Sequence, residues 1–319
     1  MKSTNILIAC ILAIGISSCE NTSEDPQDLE APIIDHASST DEISPDHGEV
    51  FTEMMNHIPV SFSVEDPSGI GQIKVNVHAN FDGHSHARVL TNFETLAIDD
   101  IYAVDASNPD FQFPENSTRV EVGTEATDIY WSGDNSRLGG PVLAGMYDFS
   151  ITATDIYGNQ TTFADGSSYL TTIHIRTEYA PKVTVSNLND GELVGTLGES
   201  LTVTGEISKP DHELSGDLAF IWIKLGEEDD EGHDHDHDEE NSRISNDEYI
   251  FDKMWGSSQW IAEGTGADLP DTQNIDLSTL LSGDNKIILP ESGDHLDLTI
   301  RAEDVNGNTI EKTYEVHMD

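Results

Sequence analysis

The chain reads as an all-β protein built from two tandem β-sandwiches, and three observations predict this. Apolar residues recur at every second position in short runs. No segment sustains a helical period. A block of sequence also returns 149 residues further on. Strict alternation sends one face of a strand into a core and the other into water, the pattern of a half-buried antiparallel strand. Val60, Phe62 and Val64 alternate in this way, followed by Ile73, Val75 and Val77. Leu201 and Val203, then Ile221, Ile223 and Leu225, repeat it in the second half.

The repeat sets the domain plan. Ala31-Pro32 is matched by Ala180-Pro181, and residues 147–153 align without a gap with residues 296–302. Asp155-Ile156-Tyr157-Gly158-Asn159 then returns as Asp304-Val305-Asn306-Gly307-Asn308. Each copy of this motif reads as a turn with a left-handed glycine and an aspartate bonded to its own backbone, rather than as a calcium loop. A second strand is expected after it, at 160–163 and at 309–316, which makes a hairpin. Only 276–281 suggests a turn of helix. Units of this kind, ~140 residues long, fit an Ig-like sandwich, although the Cys…Trp…Cys pattern of antibody domains is missing. The expected domains are 32–178 and 179–319. Two less regular stretches, 90–140 and 238–293, hold Trp131, Trp255 and Trp260, and long insertions in a sandwich are where function is expected.

The first residues predict a compartment. Lys2 precedes an apolar run at 6–16, which is too short to span a bilayer of roughly 30 Å and is of signal-peptide length. It leads into Ile16-Ser17-Ser18-Cys19, similar to the bacterial lipobox, so residues 1–18 are expected to leave and Cys19 to be acylated. Attached chains such as palmitate anchor by burying methylenes, each worth ~0.8 kcal/mol. The polar, acidic residues at 19–31 have the composition of a tether. The expected location is therefore the outer membrane, on its cell-surface or its periplasmic face. Cys10 and Cys19 are the only cysteines, so the mature chain has none for a disulfide or a thiolate metal site.

Charge narrows the partners. The formal net charge is −47, from 61 acidic and 14 basic residues. Nucleic acid and anionic lipid are repelled by such a chain. Salt screens most of its long-range attraction for cations, so acidity alone argues weakly for a metal.

Two segments carry metal chemistry. Asp82-Gly83-His84-Ser85-His86 and Glu231-Gly232-His233-Asp234-His235-Asp236-His237 stand at corresponding places in the two copies. Imidazole and carboxylate are the usual donors for Zn²⁺, and Cu²⁺ or Ni²⁺ suits the same set. In extended backbone His84 and His86 face one side. His78 is expected on the solvent face of its strand beside Lys74 and Asn76, able to turn toward the same ion. Asp82 is expected to ligate directly or to orient a histidine. His36, His47, His57 and His174 are further donors in the first copy, and His212 and His295 in the second. Residues 227–240 hold three histidines, one glycine and ten carboxylates, with almost nothing to bury. Metal binding there should weaken as pH falls through ~6.5, the ordinary histidine value.

With Asn80-Phe81-Asp82-Gly83-His84-Ser85-His86, the tandem layout and the lipobox together, the chain resembles an uncharacterised Bacteroidota lipoprotein family, a domain of unknown function. That family combines an Ig-like fold with an Asn-Phe-Asp-Gly-His-x-His stretch. The resemblance covers the first copy well; in the second, Asn-Phe is lost and the histidine tract is longer. It implies an envelope protein, a companion of TonB-dependent receptors and of metal uptake, and it carries over no catalytic residue.

The expected function is therefore capture, buffering or delivery of a divalent metal, zinc first, to an outer-membrane uptake system. The competing expectation is an adhesion or glycan-binding surface lipoprotein with Trp131, Trp222, Trp255 and Trp260 as stacking platforms; of these, Trp222 is expected to pack between strands. Enzyme signatures are missing: there is no His-Glu-x-x-His, no Gly-x-Ser-x-Gly and no phosphate loop.

Overall fold

The computed structural model describes residues 29–81, 92–226, 249–293 and 295–319. In the first unit the strands are β1 (Ile33–Asp35), β2 (Val50–Thr52), β3 (His57–Ile58), β4 (Phe62–Glu65) and β5 (Ile70–Ala79). They continue with β6 (Ile98–Ala103), β7 (Arg119–Val122), β8 (Ile129–Tyr130), β9 (Gly145–Asp155) and β10 (Tyr169–Arg176). The second unit holds β11 (Lys182–Val185), β12 (Leu193–Gly195), β13 (Gly205–Ser208) and β14 (Leu218–Gly226). It ends with β15 (Phe251–Gly256), β16 (Asn274–Asp276), the short helix α1 (Leu277–Leu280), β17 (His295–Asp304) and β18 (Thr309–Met318).

Sheet order makes the duplication explicit. The first unit pairs a three-stranded sheet, β1-β4-β7, with a five-stranded sheet, β2-β10-β9-β5-β6. The second repeats both, as β11-β13-β16 and β12-β18-β17-β14-β15. In each, the short strand at one edge runs parallel to the last strand of the unit, β2 to β10 and β12 to β18. A split first strand that ends beside the last one, across two facing sheets, is an Ig-like sandwich. The expected fold class holds. Alternation is the cause: Ile73, Val75 and Val77 are buried while Lys74, Asn76 and His78 turn outward along β5.

Three local expectations are corrected. Residues 160–163 form no strand; after the turn at 155–159 the backbone makes one bridge, and β9 pairs instead with β10 from Tyr169. The Thr161 hydroxyl takes the Ala153 amide proton at 3.0 Å, and an Asp165–Ser167 turn inserts before the strand resumes. In the second unit β18 starts at Thr309, as expected. Residues 201–204 alternate but make no ladder, because the Asn187 side chain bonds the Thr202 carbonyl and the Thr204 amide in place of a neighbouring strand. The stretches 90–140 and 238–293 are not insertions on a finished sandwich. Their described parts supply β6, β7 and β8, and β15, β16 and α1. The helix is capped by Asp276, whose carboxylate accepts the Thr279 amide.

The two units meet through a buried joint. Phe81, fully buried, lies 4.7 Å from the Trp260 ring of the second unit and 5.5 Å from Tyr147 of its own. Its carbonyl accepts a hydrogen bond from the Arg301 guanidinium. Ala144 donates to the Asn308 side chain at 3.1 Å and accepts from the Thr309 amide at 2.9 Å. Gly145 is forced by this packing: a Cβ there would overlap the Phe81 ring and the Thr309 hydroxyl. Phe81→Ala should lose about 3–5 kcal/mol of stability, and Gly145→Val should have the same sign. Thermal unfolding followed by two probes, one in each unit, checks this. The expected result is a lower first transition and a split of one cooperative step into two.

Candidate functional site

Each histidine tract spans the same hairpin of its sheet. The first follows β5 and precedes β6; the second follows β14 and precedes β15. Both hairpins close the same edge of equivalent five-stranded sheets. Asp82, His84, His86, His233, His235, His237 and Cys19 themselves lie outside the described residues. What can be read is the ground on which the tracts stand.

At the first root, His78, Asp148 and Thr172 form one row across β5, β9 and β10. All three project to the outer face. His78 Nε2 stands 3.6 Å from an Asp148 carboxylate oxygen, and its Nδ1 lies 3.0 Å from the Asn76 amide oxygen. Asp148 also accepts from Thr172 at 3.1 Å and from the Asn80 amide. His78 therefore has one nitrogen on the Asn76 oxygen and the other facing a carboxylate, and it would have to turn to ligate a metal. In the second unit Asp297 takes the place of Asp148, opposite Gly226 at the end of β14.

Two residues of the Asn-Phe-Asp-Gly-His-x-His stretch have structural work. Asn80 fastens the strand end to Asp148, and Phe81 is the plug of the joint. The other candidate histidines are scattered. His36 sits beside Asp35 and the Ala37 carbonyl, whose hydrogen bond raises its pKa. His57 stacks on Tyr130 at 5.0 Å and faces Asp128. His212 lies against Tyr179 at 5.6 Å, and its Nδ1 accepts the Leu214 amide. Among the described residues no three histidine, aspartate, glutamate or cysteine side chains converge into a metal-holding group.

The Asp…Gly-Asn motifs are turns. Asp155 accepts from the Tyr157 and Asn159 amides and from the Asn159 side chain, and Asp304 does the same with Asn306 and Asn308. Gly158 and Gly307 take the left-handed backbone, at φ 93° and 90°. Their surroundings separate the two carboxylates. Burial pushes both upward, but at Asp155 the hydrogen bonds from Asn159, Tyr157 and Gly158 win and hold its pKa below the usual range. At Asp304, deep in the joint, burial wins and the pKa rises.

The tryptophans reverse their expected roles. Trp131, Trp255 and Trp260 are 2%, 4% and 5% exposed, so none can be a stacking platform. Their indoles fill the cores and the joint: Trp255 lies on β15, Trp131 directly follows β8, and Trp260 lies in the loop after β15. Trp222, expected between strands, sits instead on the outer face of β14. The Lys224 ammonium lies 4.5 Å from its ring and 5.4 Å from that of Tyr249, and the indole N–H donates to Asp252 at 2.6 Å.

One histidine reports on the joint. His174 on β10 is mostly buried, which lowers its pKa; Arg176 and His47 add to the fall, and Glu311 of the second unit opposes it. The fold thus prefers the neutral ring, while the unfolded ring keeps the ordinary ~6.5. Stability from this group is complete above that value and drains away as pH falls below it. His174→Gln should flatten the acid limb below about pH 6.5, read as the slope of the unfolding midpoint against pH.

Residues 17–166 match the family model described as a domain of unknown function (DUF4625). That stretch includes the Asn80-Phe81-Asp82-Gly83-His84-Ser85-His86 segment. No curated protein matches the chain. Among solved structures, the chain is similar to the fibronectin(III)-like modules of CbhA from Clostridium thermocellum, at 11% identity and a TM-score of 0.22. That match covers 90% of this chain and 94% of the other. It is also similar to SGBP-B of a Bacteroides ovatus mixed-linkage glucan utilization locus, solved with a heptasaccharide, at 10% identity and a TM-score of 0.25. Here 90% of this chain spans 47% of the other. The titin Ig tandem A164-A165 matches at 9% identity and a TM-score of 0.20, over 91% and 97% of the two chains.

Proposed function

We propose that this chain is a non-catalytic binding protein of the cell envelope, anchored through Cys19, whose two histidine-bearing hairpins take up a divalent transition ion. Zinc is the first candidate. The proposed role is capture, buffering or delivery to an outer-membrane uptake system, with a TonB-dependent receptor as the natural partner. The observation that carries this reading is the equivalence of the hairpins. Two tracts of unlike length and composition share only their acid-Gly-His-x-His core, and both span the same pair of strands in a duplicated sheet. Carboxylates Asp148 and Asp297 occupy matching positions beneath them on β9 and β17. Among the described residues no helix is long and apolar enough to cross a membrane, so the proposed attachment rests on the acylated cysteine.

Calorimetric titration of the untagged chain from Glu20 onward with Zn²⁺ at pH 7.4 tests this. Binding tighter than about 100 μM is expected, equivalent to ~5.5 kcal/mol. The paired change His84→Ala with His86→Ala should remove one class of site and leave the other. Weaker binding, or none, overturns the reading.

A second reading, an adhesion or glycan-binding surface protein, rests on Trp222. Its partly exposed indole lies on the outer sheet face with Tyr249, Lys224 and Asp252 around it. An aromatic face ringed by polar groups suits a pyranose, whose C–H face stacks while its hydroxyls bond at the rim. A glycan-array signal that survives chelator and is lost in Trp222→Ala would favour it over the metal reading.

A further inference from the structure

We infer that His295 and His317 form a metal site of their own, a cross-strand pair of imidazoles at the far end of the second unit, for a late first-row divalent ion. The site deepens the metal-binding reading but stands on residues outside the two histidine tracts.

Register creates the pair. His295 opens β17, His317 is the last but one residue of β18, and the two stand directly opposite each other. Directly opposed residues of an antiparallel pair share a face, with Cβ atoms ~4.5–5.5 Å apart. Leu296 and Val316 turn into the core, which sends both histidines outward, each close to half exposed. The ring centroids lie 5.1 Å apart at an interplanar angle of 49°. Two imidazoles bound to one ion at ~2.0–2.1 Å, at a near-tetrahedral angle, hold their ring centres roughly 5 Å apart. The pair already has that spacing.

The outer nitrogens are dressed as metal ligands usually are. His295 Nδ1 lies 2.8 Å from a Glu315 carboxylate oxygen, and His317 Nε2 lies 3.4 Å from one of Asp319. A ligating histidine commonly offers its second nitrogen to a carboxylate, which fixes the ring and raises its basicity. Here each ring has one carboxylate on one nitrogen, leaving Nε2 of His295 and Nδ1 of His317 for a metal. No third described histidine or carboxylate converges with them, so the remaining positions belong to water. With two nitrogens and water, Cu²⁺ should bind most tightly and Zn²⁺ less so.

Position in the fold explains why only this unit has the pair. The equivalent residues of the first unit, opposed on β9 and β10, are Met146 and His174. They lie next to the joint, where Asn80 bonds the Met146 carbonyl and Glu311 acts on His174. In the second unit the same end of the sheet is open, and both histidines are close to half exposed.

The test uses the full mature chain, untagged, with His84, His86, His233, His235 and His237 all changed to Ser. Electron paramagnetic resonance and calorimetry with Cu²⁺ at pH 7.4 should find one equivalent per chain with two nitrogen ligands. Adding His295→Asn or His317→Asn should weaken it at least tenfold, while the unfolding midpoint stays within a degree or two. No Cu²⁺ bound by the tract-free chain, or binding unmoved by both changes, overturns the inference. A pair serving only as surface ion pairs would show that last result. Failure of the tract reading looks different: the wild-type and tract-free chains would then bind the same amount of metal.

Discussion

The architecture turns on one ring. Phe81 closes the first sandwich from below, stacks on Trp260 of the second and offers its carbonyl to Arg301. Burying an aromatic side chain on both sides of a joint converts two adjacent sandwiches into a coupled pair, since each loses apolar contact when the other moves away. The same residue sits one position before Asp82, the start of the first histidine tract. The root of that tract is therefore tied to the second unit, and anything that loosens the joint also frees the root.

Duplication gave the chain two copies of one turn, and the joint used one of them. At 155–159 the turn stands at the outer end of the first unit, with Ile156 and Tyr157 about half exposed. At 304–308 it is pressed against Ala144 and the surroundings of Phe81, and Glu303, Asp304 and Asn308 are sealed from water. Burying Glu303 and Asp304 is costly unless their oxygens are bonded. Ser258 and Gln259 supply donors to Glu303; Gly216, Asn306 and Asn308 supply them to Asp304. One local motif thus folds identically in two settings, and only its surroundings decide which carboxylate is acidic.

How much of this could be read from the residues depends on range. The alternating runs, the repeat, the turns and the outward direction of His78 are local or periodic, and all were legible. What failed turned on side-chain bonds to the backbone that no apolar pattern reveals. The Asn187 side chain takes the place of a strand at 201–204, and the Asp165–Ser167 turn delays β10. Trp222 was misplaced for a different reason, since its face was legible. Trp222 lies between Ile221 and Ile223 in sequence and on the opposite face from them in the sheet, as alternation itself demands. The His295–His317 pair was within reach. Each stands nine residues out from the turn, at Asp304 and Asn308, so hairpin symmetry alone opposes them.

That symmetry also bears on how many ions one chain can hold. Arg301, where the first unit engages β17, is six residues from His295. Along an extended strand this is roughly 20 Å, an order of magnitude beyond a metal–nitrogen bond. An ion held by the pair cannot also be held at the joint. Were the chain a single chelating cage, its donors would gather where the two units meet, and that surface is instead filled by Phe81, Trp260 and Arg301. His78 stands near the end of β5 and the His295–His317 pair at the far end of the β17–β18 hairpin, each ring beside a carboxylate, so ions taken up there would occupy separate sites. Under the proposed metal-binding role, separate sites would suit collection and release better than permanent retention, because each ion could leave without disturbing what holds the next.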